Sequence, residues 1–353
     1  MSTLETNNIG KYSGNNVSLN DPLKFKNYTT SQIDALSGMA AGDTVYDTDL
    51  GTLKVYNGSS WNGMSASTFP IAIDYLVVAG GGGSGVDNGA GLGYSGGSGA
   101  GGYLSSKDTQ GRGVAAATTP TFAAGTVLTV TVGAGGASEA KGNSSVFNNV
   151  TALGGGIPSD SNAEKAGGCG AGASASSIDN TDIGGVGSHG YDGGDNNNAN
   201  GATAGGGGAG AAGGEPSSSG SQSGANGGVG NVTTILSTST ATTVGVGEID
   251  GGSVYFSGGG AGSGASSHGT GGLGGGGNGG SNDSGAAKTG GGCGGTYAVN
   301  ISGAGGSGVV ILRYPATHTL TADGSDSGLT VNTYTEGSFK VSVYTAGTGN
   351  ITV

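Results

Sequence analysis

The sequence predicts a mostly irregular, all-β protein: a glycine-rich polyproline-II bundle closed by short β-strands, with small β-modules at both ends. Three observations predict it. Of 353 residues, 86 are Gly, and only 10% are charged. The glycines fall in dense stretches, at 79–86, 96–102, 166–173, 201–214, 251–264, 269–280 and 290–295, separated by segments rich in Asp, Asn, Ser and Pro that have the composition of turns. The most apolar strands, 71–79 and 307–314, bracket this region and are expected to pair and close it.

Each part of that architecture has a physical reason. Glycine costs about 1 kcal/mol per helical position relative to alanine, which excludes helices from the dense runs. Collagen is excluded because glycine falls in runs such as AGGGGAGAAGG (204–214), not at every third position. Interspersed Val, Ile, Leu and Tyr and a low charge density argue against disorder. Polyproline-II strands point their N–H and C=O groups outward, with three residues per turn. Bundled strands satisfy those groups mutually only where no Cβ stands between them. Glycine is then a steric requirement, and its entropy loss is offset by inter-strand hydrogen bonds of about 1 kcal/mol net each. Loops of such a bundle emerge at its two ends.

Taken in order, residues 1–70 have near-normal composition and read as an attachment or oligomerisation module. A helical turn is expected from TTSQIDAL, with Thr30 or Ser31 as N-cap, then strands in DTVYDTD and TLKVYNG joined at DLGT, where glycine supplies a positive φ. Trp61 reads as the small core of this hairpin or as a subunit contact. A hairpin this small needs a partner, which another copy of itself could supply. Within the glycine-rich domain, 71–315, strands are expected in GTVLTVTVG (125–133), SSVFNNVTAL (144–153), VTTIL (232–236) and GSVYFSG (252–258). A C-terminal β-segment follows at 316–353.

Several functions are disfavoured. Gly80, Gly82 and Gly85 in DYLVVAGGGGSG fit a dinucleotide-binding fingerprint, but no helix opens after them to hold a pyrophosphate, and GLGYSG (91–96) matches by chance too. No cofactor is expected. A net charge of −12 and a pI near 4.4 argue against nucleic acid or an anionic membrane as direct partner. MSTLETNNIGKYSG lacks the layout of a signal peptide, and runs such as YLVVA are too short to span a bilayer, so synthesis in the cytoplasm without a cleaved signal is expected.

Cys169 and Cys293 sit in equivalent glycine-rich surroundings without C-x-x-C spacing, and read either as small residues with room to spare or as a disulfide. The histidines His189, His268 and His318 form no catalytic constellation by spacing, and the carboxylates lie in turn-like contexts, so no enzyme is expected. No metal is expected either: Asp192 and Asp195, beside several Asn, read as a solvated turn ahead of a single ion site. Tyr94 and Tyr191 are flanked by glycine, which suits them to rigid recognition or to local cover of the bundle.

The residues IDYLVVAGGGGSG, GAGGYL, LTVTVGAGG, GGGGAG and GGSGVVILRY resemble, in their order, the glycine-rich, polyproline-II-sandwich domain of phage tail-fibre adhesins over about 71–314. YTTSQIDALSGMAAGDTVYDTDLGTLKVYNGSSW is similar to a short module of phage tail fibres. GSFKVSVYTAGTGNITV (337–353) resembles a β-segment that accompanies the same domain, usually before it; here it follows. The resemblance implies a virion protein of the phage tail, assembled in the host cytoplasm, whose loops bind a host cell-surface receptor (an outer-membrane protein or a glycan). Other tail proteins would be its partners, in a homotrimer or as a monomer capping a trimeric fibre. Candidate receptor-binding residues are then Tyr94, His189, Tyr191, Asp192, Asp195, His268, Asn282 and Asp283. The alternatives are a fibre that degrades polysaccharide and a purely architectural one.

Overall fold

The computed structural model describes residues 25–64, 70–85, 94–159, 161–175, 181–197, 201–217, 222–281, 283–296, 303–322 and 328–353. Two compact units make up the chain, Met1–Phe69 and Pro70–Val353.

In the first unit, β1 (Asn27–Tyr28), β2 (Thr44–Asp47), β3 (Thr52–Tyr56) and β4 (Trp61–Met64) form one sheet in that order, with α1 (Thr30–Asp34) between β1 and β2. Thr29 caps α1, not Thr30 or Ser31: its hydroxyl accepts from the Gln32 N–H while Gln32 Oε1 accepts from the Thr29 N–H. The Thr30 hydroxyl is engaged elsewhere, donating to the buried Asp47 carboxylate, which also pairs with Lys54 Nζ at 2.9 Å. Gly51 turns the β2–β3 hairpin at φ 64°. Among the described residues of this unit, Ile33 and Val45 are the buried apolar side chains. Trp61 leans on Tyr56, ring centroids 5.3 Å apart.

The second unit contains β5 (Ile71–Ala72), β6 (Asp74–Val78), β7 (Tyr103–Ser105), β8 (Thr121–Phe122), β9 (Val127–Thr131), β10 (Ser145–Phe147), β11 (Val150–Ala152), α2 (Asn162–Lys165), β12 (Thr181–Asp182) and β13 (Asn196–Asn197). There follow β14 (Asn231–Thr233), α3 (Thr238–Val244), β15 (Glu248–Asp250), β16 (Ser253–Phe256), β17 (Val309–Pro315), β18 (Thr321–Ala322), β19 (Thr330–Glu336), β20 (Phe339–Ala346) and β21 (Thr348–Thr352). Among the described residues the strands form several small sheets and no closed barrel.

The central sheet runs β19-β20-β17-β6-β7, and β6 pairs with β17 antiparallel, Val309 opposite Val78, as the bracketing apolar strands led us to expect. Successive side chains of a strand face opposite sides, and both sides of β6 and β17 are buried, which is why they read as unbroken apolar runs. On one side Tyr75, Val77, Val310 and Leu312 pack against Leu128, Val130 and Phe147 of a second five-stranded sheet, β11-β10-β9-β21-β18. On the other, Leu76, Val78 and Ile311 pack against Val254 and Phe256 of the sheet β14-β16-β15 and against Ala241 of α3. The strands of 316–353 belong to these layers: β20 lies between β17 and β19, and β21 between β9 and β18.

The strands lead into glycine rods. The run 96–102 occupies the centre, and its bonding repeats every three residues. Gly97 and Ala100 donate to Ala204 and Gly207, Ser98 and Gly101 to Cys293 and Gly290, and Gly99 and Gly102 to Gly156 and Leu153. Three bonding directions recurring with period three are what a helix of three residues per turn produces, so these runs are polyproline-II rods. The same rod accepts from Gly82, Cys169, Gly172 and Gly260. It is therefore enclosed by the runs at 80–85, 153–157, 166–173, 203–209, 257–262 and 290–296. A Cβ on Gly97, Gly99 or Gly101 would overlap a backbone carbonyl of a neighbouring rod.

Candidate functional site

The rod register sorts the loops between two ends of the bundle. Rod 96–102 runs from Ser95 to Tyr103, the first residue of β7, so Tyr103 marks a strand end and Ser95 a loop end, about 25 Å apart at the rise of this helix. Rod 166–173 is antiparallel to it, Cys169 donating to Ala100 and Gly172 to Gly97. The run 190–194 is parallel to 166–173, since Gly170 donates to Tyr191 and Ala173 to Gly194.

At the loop end, hydroxyl side chains take over where the rods run out of backbone partners. Thr203 Oγ1 donates to the Ser95 carbonyl at 2.9 Å, Ser263 Oγ donates to the Thr296 carbonyl, and the Thr296 N–H donates to Ser95 Oγ at 3.1 Å. All four side chains are buried. The amide of Asn196 ties the Ser174 and Ala202 carbonyls together at 3.0 and 3.2 Å. Lys165, itself buried, reaches Asp182 at 2.5 Å, and Asp182 also accepts from the Ser174 N–H. These buried polar groups have partners within the protein, so this end is a braced platform.

Four of the candidate residues stand on it. Tyr94, half-buried, precedes Ser95. Asp195 accepts from the Gly184 N–H at 2.8 Å. The exposed His268 accepts from the Gly264 N–H through Nδ1 and lies against Gly280, whose φ of 99° and lack of Cβ make room for the ring. Asp283 is exposed and takes the Ser281 hydroxyl at 3.0 Å. Asn282 lies outside the described residues.

His189, Tyr191 and Asp192 are placed toward the strand end, so the structure separates them from the first group. The His189 carbonyl accepts from the Tyr103 N–H, and its Nδ1 accepts from the Leu153 N–H at 3.2 Å. Burial pushes the His189 pKa down, which suits a neutral ring held as an acceptor. Asp192 grips Arg112 through two bonds of 2.6 and 3.0 Å and also accepts from the Gly187 N–H. Burial raises its pKa, but the Arg112 and Gly187 bonds together with the Arg112 charge outweigh that and hold the carboxyl below its ordinary range. Arg112 itself adopts φ 62°. The Tyr191 N–H and carbonyl belong to rod bonding, to Gly208 and from Gly170.

Sequence reasoning passed over Ser95, Thr203, Ser263 and Thr296. A signal was there: each sits at the margin of a glycine run, in YSGG, TAGGGG, GAGSGA and GGTY. Cys169 and Cys293 are buried in separate rods and no disulfide joins them, which removes the disulfide reading. Burial pushes both thiols up, Cys293 to about 12, which favours the protonated thiol. Among the described residues no group of three or more His, Cys, Asp and Glu could hold a metal ion, and no helix is long and apolar enough to cross a membrane.

A family model described as a glycine-rich domain matches residues 57–315. No curated protein and no solved structure matches the chain.

Proposed function

Since the chain belongs to the glycine-rich domain family, we propose that it is a tail-fibre or adhesin subunit of a phage virion, which binds a host cell-surface receptor non-covalently through loops at one end of its rod bundle. One observation carries this reading. One end of the rod bundle is braced by Ser95, Thr203, Ser263 and Thr296, and Tyr94, Asp195, His268 and Asp283 all stand there. A stiff holder with polar turns at its tip fits recognition: side chains held in place lose little entropy when a partner docks.

The first unit supports a multimeric fibre. Its sheet carries Tyr46, Leu53 and Met64 opposite one another on the face turned away from buried Val45 and Lys54, and none of these three is buried within the chain. A unit with Ile33 and Val45 as its buried apolar side chains gains stability by covering that face with copies of itself. Three copies would also convert weak single contacts into avidity.

Adsorption to the host bacterium tests the reading. A Tyr94→Ala, His268→Ala, Asp283→Ala variant is expected to slow adsorption at least about tenfold with an unchanged melting temperature, whereas Val114→Ser, an exposed change near the strand end, leaves it intact. Unchanged adsorption of the triple variant would overturn the proposal. Release of oligosaccharide from host capsule or lipopolysaccharide would replace it with a degrading fibre.

A further inference from the structure

The second unit has a cleft at its strand end, apart from the loop end, with a volume of about 570 Å³. Lys107, Asp108, Thr109, Val229, Asn231 and Val232 are among the residues that line it. Its position follows from β14: Val232 lies opposite Tyr255 of β16, and its carbonyl accepts from the Tyr103 hydroxyl.

Lys107 is singular among the described residues. Lys54, Arg112, Lys165 and Arg313 are held in ion pairs with Asp47, Asp192, Asp182 and Asp74. Lys141, Lys288 and Lys340 donate to the carbonyls of Ala163, Val244 and His318, and Lys26 lies over the Tyr28 ring. Among the described residues, Lys107 is left as the cation whose side chain has no partner, and it is exposed at the cleft. The neighbouring carboxylate does not claim it. Asp108 also lines the cleft, but its oxygens are engaged, accepting from the Thr233 hydroxyl and from both the N–H and the hydroxyl of Thr234. Val229 and Val232 are each 39% exposed, so the lining of the same cleft also presents aliphatic surface to solvent.

A partnerless cation, a carboxylate already engaged by hydroxyls, two exposed valines and an amide, in a space of ligand size, specify a chemistry. We infer that this cleft binds an acidic saccharide, a chain whose sugar rings carry carboxylates. Lys107 takes the carboxylate in a charge-assisted bond, and Val229 and Val232 lie under the C–H face of the ring. The Asn231 side chain, fixed by its bond to the Thr109 carbonyl at 3.1 Å, has its amide oxygen left for a sugar hydroxyl. In a chain of net charge −12, an anionic glycan would dock only where a local cation offsets the overall field. The site is independent of the loop-end platform and would add a second contact with a cell surface.

The test is a titration of the full chain with a tetrasaccharide of alternating glucuronic acid and N-acetylglucosamine, followed by amide NMR shifts. The same tetrasaccharide with its carboxyl groups reduced to alcohols, and a glutamate-rich peptide, are titrated alongside. The acidic saccharide is expected to shift the amides of 107–109 and 229–232 saturably, with the reduced form about five- to tenfold weaker. Lys107→Gln should reproduce that loss without lowering the melting temperature, and Val232→Ser should weaken both saccharides alike. No saturable shift, equal binding of the reduced saccharide, undiminished binding by Lys107→Gln, or tighter binding of the peptide would each overturn the inference.

Discussion

The α-carbon of Gly99 faces the carbonyl oxygen of Cys169 so closely that a methyl group on Gly99 would overlap it. The two rods are also tied by the bond from the Cys169 N–H to the Ala100 carbonyl, 3.0 Å long. Neither can yield without breaking the other contacts of the central rod. Gly99→Ala is therefore expected to cost at least about 3 kcal/mol. Gly125, at φ 79° with open space around it, gives the comparison: Gly125→Ala should cost only about 1 kcal/mol, for the left-handed backbone alone. Chemical denaturation of both variants measures the difference, and equal losses would refute the steric account of the glycine runs.

Glu336 of β19 receives the Ser237 N–H and hydroxyl at 3.0 and 2.7 Å, together with the Thr240 hydroxyl, at the start of α3. Burial raises its pKa, but the bonds from Thr240 and Ser237 outweigh this and hold it below the ordinary value of 4.5. A carboxyl depressed in the folded state contributes stability above its unfolded pKa and loses it as pH falls through the folded value. Glu336→Gln should thus destabilise by about 1 kcal/mol at neutral pH, the side chain being partly solvated. The gap between wild type and variant should close as pH falls below about 4. Unfolding free energies across that range check it, and a gap independent of pH would contradict it.

Ser257 should be improvable. Its hydroxyl is buried without a hydrogen-bond partner, and its backbone sits at φ 61°. Ser257→Gly removes both penalties and is expected to stabilise by about 1 kcal/mol, raising the melting temperature by about 2 °C. A lowered melting temperature would mean that the hydroxyl contributes a contact of its own.

Much of the fold was legible because glycine runs and apolar strands are strong local signals. The pairing of 74–78 with 309–315 followed from two runs buried on both faces. By contrast, α3 has the sequence TSTATTV, without an apolar stripe and rich in β-branched residues. It forms because Ser237 caps one end, Gly245 turns the other at φ 69°, and Glu336 arrives from a distant strand, the last of which no local pattern reveals. The site was half legible for a similar reason. Tyr94, His189, Tyr191 and His268 share glycine-rich surroundings in sequence. Which end of the bundle each reaches depends on rod register, and that is set by hydrogen bonds between runs far apart in the chain.

The pairing of Leu76 with Ile311 has a consequence for synthesis. Rod 80–85 hydrogen-bonds to rod 303–308, and Val310 and Ile311 in turn pair with Tyr344 and Val343. A ribosome must therefore release the chain through β20 before the sheet that anchors its earliest rods can close, so the last step of assembly in this domain waits on strands far along the chain. Slow maturation and a need for protection while nascent follow from that long-range wiring.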